Sequence, residues 1–126
     1  MDNKYIGDWE RESYTGLKRI DALRDDFEID EDVIKDEEII VAFYLYESYS
    51  GIASVLFKRD DKYFIVEGSH CSCYGLEGQW NEEEISLEYI SHRIENGCFA
   101  DWASHYEERI KERLRLFIIE ELENGL

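Results

Sequence analysis

The sequence predicts an α+β fold: a three-stranded antiparallel β-meander packed with about three α-helices. Residues 39–67 hold three runs rich in β-branched and aromatic residues, IIVAFYLY, IASVLFK and KYFIVE, separated only by ESYSG and RDD. Connections this short join antiparallel neighbours, because a parallel pair needs a crossover of about a dozen residues or more. On either side of that block, apolar residues recur every three or four positions, the spacing of amphipathic helices. The chain has 126 residues, 44% of them hydrophobic, with three Trp, nine Tyr and six Phe. That is enough for one packed core, so residues 1–126 are expected to form a single domain.

The elements follow in order. Residues 14–26 (YTGLKRIDALRDD) place Leu17, Ile20 and Leu23 three apart, with Phe27 four further on, which predicts a short helix lying on a core. From Asp25 to Glu38 the chain carries nine carboxylates and one lysine in fourteen residues. A calcium loop needs a glycine at its sharp turn, and none is present, so calcium is set aside. In the first predicted strand, alternation puts Ile40, Ala42, Tyr44 and Tyr46 on one face and Ile39, Val41, Phe43 and Leu45 on the other. Both faces are apolar, which calls for helices on both sides of the sheet or an aromatic face kept for a partner.

Asn81 followed by three glutamates predicts a helix over 82–96. Asn81 would cap it, Glu84 would sit at the capping-box position, and Leu87, Ile90 and Ile94 would share one face. Its end is expected at Asn96-Gly97, with the glycine left-handed. A second helix over 100–123 aligns Trp102, Tyr106, Ile110, Leu114, Phe117 and Ile118, and is the expected cover of the sheet.

Charge and composition restrict function. Thirty-one Asp and Glu against fourteen Lys and Arg leave a net charge of -17, whose field opposes any site for nucleic-acid phosphates. Direct DNA or RNA binding is therefore excluded as an expectation. No run approaches a membrane span or a signal peptide, so a cytoplasmic location is expected. Three cysteines, two of them separated by one residue, argue against a disulfide framework.

The stretch SHCSCYGLEGQW (69–80) concentrates unusual chemistry after the third strand. Cys71 and Cys73 could present two thiolates to one soft ion. His92 near the predicted helix end, and Cys98 just past it, complete a three-thiolate, one-imidazole set of the kind that holds structural zinc. His70 is the second choice for the histidine and His105 the third. The plainer reading is that three thiols fill small core sites without metal. A catalytic thiol with His70 or His92 as base is also conceivable, but no phosphate-binding glycine loop accompanies it, and a non-enzymatic protein is expected.

SHCSCYGLEGQW and its surroundings, from about Glu38 to Arg93, resemble a motif of small acidic proteins of bacteriophages and mobile elements. Some of those proteins inhibit host defence, notably anti-CRISPR proteins. The resemblance implies an inhibitor of a type II RNA-guided nuclease acting in the host cytoplasm.

Independently of that resemblance, closely spaced carboxylates can occupy a cationic groove built for a duplex, which presents a charge about every 1.7 Å of its axis. Asp25, Asp26, Glu28, Asp30, Glu31, Asp32, Asp36, Glu37 and Glu38 are the candidates, followed by Glu82, Glu83 and Glu84. The expected partner is a basic, nucleic-acid-binding protein, which the resemblance narrows to a CRISPR effector nuclease. The bland alternative is a solvated acidic surface. A reading of another class makes 69–80 a nucleotide-binding or nucleotide-hydrolysing loop, with Tyr74 and Trp80 stacking on a base, Gly75 and Gly78 allowing close approach, and Lys58, Arg59 and Lys62 neutralising phosphate.

Overall fold

The computed structural model describes residues 4–10, 18–100 and 102–124. Its order is β1 (Tyr5–Gly7), a 3-10 turn (Asp8–Glu10), α1 (Arg19–Phe27), a second 3-10 turn (Asp36–Glu38), β2 (Ile39–Glu47), β3 (Ser50–Arg59), β4 (Lys62–Cys71), β5 (Glu83–Ile85), α2 (Leu87–Asn96) and α3 (Ser104–Asn124). The fold is α+β, with a five-stranded mixed sheet in the order β1-β2-β3-β4-β5. The antiparallel meander β2-β3-β4 forms its centre, and two short strands extend it. One is β1, parallel to β2, and the other is β5, antiparallel to β4.

Each hairpin turn has two residues. Ser48 and Tyr49 join β2 to β3, Asp60 and Asp61 join β3 to β4, and all four have positive φ. Mirror-image turns of this kind match the right-handed twist of paired strands. The third strand runs four residues beyond its predicted end, to Cys71, because β3 continues to Ser50 and supplies a partner for each of them.

Both faces of the sheet are covered. Val41, Phe43, Leu45, Leu56 and Ile65 pack under α2 and α3 against Ile90, Ile94, Ile110 and Leu114. The other face, with Ala42, Tyr44, Val55, Phe57 and Val66, packs under α1, Trp9, Ile34 and Leu76. The alternation expected for β2 holds except at its start. Ile40 lies with Val41 on the α2/α3 side, because a bulge between Ile39 and Val41 inserts one residue into the ladder.

Helix boundaries differ from expectation for identifiable reasons. Residues 14–17 of the first predicted helix, including Leu17, lie outside the described residues, and α1 starts at Arg19. The helix expected from Asn81 begins only at Leu87. Residues 83–85 pair with β4 instead, Ile85 packs into the core, and the Ser86 side chain caps α2 by accepting the Tyr89 N–H at 3.0 Å. Gly97 ends α2 with φ -123°, so the left-handed stop is not used. α3 starts at Ser104 because Glu107 turns back to accept the N–H groups of Phe99 and Ala100, which leaves Trp102 outside the helix and 44% exposed. No helix among the described residues is long and apolar enough to cross a membrane.

Candidate functional site: an acidic edge

The acidic segment leaves α1 through Glu28, which takes the left-handed conformation (φ 56°) while its N–H bonds back to the helix. Ile34 anchors the loop in the core. Two arginines then fasten its backbone from opposite sides. Arg24 of α1 donates to the Ile34 carbonyl from Nη2 (2.6 Å) and Nε (3.1 Å). Arg59, at the end of β3, donates to the Val33 carbonyl at 2.8 Å. Consecutive peptide carbonyls are thus gripped by guanidinium groups that come from different elements.

Arg59 does more. Its Nε reaches Glu38 at 3.0 Å and its Nη1 reaches Glu82 at 2.9 Å, while its plane lies over the Phe57 ring at 4.9 Å. Both carboxylates hold the guanidinium charged, and its pKa moves up despite the opposing pull of burial. One side chain therefore joins two acidic segments that are far apart in sequence, residues 30–38 and 82–84. Asp60 and Asp61, at the turn beside Arg59, add two exposed carboxylates to the same edge. Sequence reasoning missed both, since a turn accounts for them locally.

Several of the predicted carboxylates serve the fold. Asp26 accepts the Trp9 indole N–H at 2.7 Å, and burial pushes its carboxyl above the ordinary range even against that bond. Asp36 accepts the Tyr5 hydroxyl at 2.6 Å and pairs with Lys4. Burial opposes its ionisation, but those partners outweigh it and its pKa falls. Glu38 caps the Lys35 N–H as well as pairing with Arg59, and Glu82 also takes the Trp80 indole N–H. The other eight candidates (Asp25, Glu28, Asp30, Glu31, Asp32, Glu37, Glu83 and Glu84) are exposed and make no side-chain hydrogen bond or ion pair among the described residues.

The proposed zinc ligands do not converge. Among the described residues, no group of three or more His, Cys, Asp or Glu is placed to hold a metal ion. His92 lies in a depression between α2 and α3 with Ile118 and Leu122, whereas Cys98 lines a separate cleft of about 380 Å³ with Ser69, Gln79 and Arg93. His70 is buried on the opposite side of β4 from Cys71. Its Nδ1 donates to the Cys71 carbonyl at 2.7 Å, and its Nε2 is hydrogen-bonded with the Tyr44 hydroxyl at 2.8 Å. His105 lies against the Tyr106 ring, tilted to it by 47°, at the exposed start of α3. All three cysteines are exposed, which also removes the reading of thiols as core filler.

Three of the groups named for the nucleotide reading are engaged elsewhere. Trp80 packs between Phe27 and Phe57, Lys58 pairs with Glu121 at 2.8 Å, and Arg59 is committed to the acidic edge. Tyr74 alone of the stacking pair stays exposed.

The chain matches no protein-family model, no curated protein and no solved structure. The acidic edge therefore stands on its geometry.

Proposed function

We propose that this protein is a non-enzymatic inhibitor that binds a basic, nucleic-acid-handling protein through the acidic edge of its sheet. The target class, a type II RNA-guided nuclease, follows from the resemblance of SHCSCYGLEGQW and its surroundings to phage and mobile-element proteins. The observation that carries the binding reading is Arg59, which holds the 30–38 loop and residue 82 on one guanidinium. A charged surface fixed in advance loses little conformational entropy on docking, and its field steers a cationic partner toward it. Asp30, Glu31, Asp32, Glu37, Glu83 and Glu84 supply the charge, with Asp60 and Asp61 beside them.

The test is a DNA-cleavage assay with a panel of guide-loaded type II effectors, the protein being added before or after target DNA. Inhibition that weakens with salt, and is lost when Asp30, Glu31, Asp32 and Glu37 are changed together to Asn or Gln, is the expected result. No inhibition, with no binding by calorimetry at low salt, would overturn the assignment. Inhibition untouched by the four changes would move the interface elsewhere.

A further inference from the structure

β4 ends at Cys71, and the chain folds over in a turn at Ser72–Cys73. That turn brings the Cys73 N–H to 3.4 Å from the Cys71 sulfur. A main-chain N–H aimed at a sulfur favours its thiolate form. Both thiols are open to solvent.

We infer that Cys71 and Cys73 form a thiol–disulfide exchange site, with Cys71 as the attacking thiolate and Cys73 as the resolving thiol, and with low-molecular-weight disulfides as the substrate class. The Cys73 N–H directed at the sulfur makes Cys71 the nucleophile, and the Cys73 backbone and then its side chain hold the Cys71 ionisation below the ordinary thiol range. Cys73 is shifted the other way, first because it donates to Cys71 and then because a second thiolate would be repelled. The pair is therefore asymmetric.

In the first step the Cys71 thiolate attacks one sulfur of the disulfide RSSR. A new sulfur–sulfur bond forms, the old one breaks, and RS⁻ leaves and takes a proton from water. In the second step Cys73 gives its proton to solvent and attacks the Cys71 sulfur, expelling the second RS⁻. The protein loses two electrons and two protons, and RSSR becomes two RSH. Cys98 lies in a different loop, without a neighbouring thiol, and serves as an internal comparison.

This site is remote from the acidic edge. Cys71 pairs with Ser50 at one end of β3, and Arg59 lies at the other end, nine residues and about 30 Å along the strand. The exchange chemistry and the partner-binding reading can accordingly fail separately.

The experiment uses the full chain, a chelator to remove adventitious metal, oxidised glutathione as the probe and intact-mass spectrometry as the readout. The native protein is expected to lose the mass of two hydrogens, with no lasting adduct at Cys71 or Cys73. Cys73→Ser should stall as a stable glutathione adduct on Cys71. Cys71→Ser should react at Cys73 about tenfold more slowly, and Cys98→Ser should leave the Cys71–Cys73 reaction unchanged. Adducts that accumulate at similar rates on all three cysteines of the native protein, or a persistent adduct on Cys71 with Cys73 intact, would overturn the inference.

Discussion

Asp26 shows how one residue can be misread from sequence and then explained by its surroundings. In the chain it is one carboxylate among nine, yet in the fold it is half-buried and accepts the Trp9 N–H. Burial raises its pKa above the ordinary 3.8, so the folded protein binds this proton more tightly than the unfolded chain does. Its contribution to stability is fully present below 3.8 and is lost as pH rises through the folded value. Asp26→Asn keeps an acceptor for Trp9 and removes the cost of ionisation. Urea denaturation should find this variant more stable than the native protein at neutral pH, with the gain shrinking in mild acid. A gain that grew on acidification would show that the carboxylate is stabilised, not strained. The cysteines follow the same logic. With only Cys71 and Cys73 side by side, elemental analysis of protein purified without added metal should find no near-stoichiometric zinc. Stoichiometric zinc with three protected thiols would require the 71–80 loop to rearrange around Cys98 and a histidine.

At the scale of elements, the contest over residues 81–87 was decided by partners that lie far away in sequence. NEEEI carries every local mark of a helix start. The open edge of β4 offers three residues a ladder, Arg59 draws Glu82 toward the sheet, and Ser86 provides a competent cap a few residues later. Local propensity lost to pairing that periodicity does not reveal. Ser86→Ala should therefore cost about 1 kcal/mol in denaturant titrations. Asn81→Ala, at the cap expected from sequence alone, should cost much less, since its side chain makes no hydrogen bond among the described residues. Equal costs would mean that the boundary of α2 is misplaced. The central meander was legible because its strands are long, strongly apolar and joined by two-residue turns. β1 and β5 were not, because three residues carry too short a pattern to read. The bulge at Ile40 was equally hidden, since both neighbouring faces are apolar and either register looks sound.

For the whole molecule, net charge and the arrangement of charge predict different outcomes, and Arg59 separates them. The acidic block was visible as composition, but the grip of Arg24 and Arg59 on the Ile34 and Val33 carbonyls depends on tertiary contacts and left no trace in the local pattern. Arg59→Met keeps most of the apolar stem, removes the guanidinium that lies over Phe57 and makes the net charge one unit more negative, from -17 to -18. If affinity for a cationic partner followed net charge, this variant would bind a susceptible type II effector at least as tightly as the native protein. If the fixed edge is what binds, releasing residues 30–38 and Glu82 restores conformational entropy that docking must remove again, and affinity should fall by roughly tenfold despite the added negative charge. Calorimetry at two salt concentrations, with circular dichroism to confirm that the sheet persists, measures the difference. Arg24→Met provides a second release of the same loop from the other side, and it should weaken binding in the same direction. Unchanged or tighter binding by both variants would reduce the acidic edge to a sum of charges.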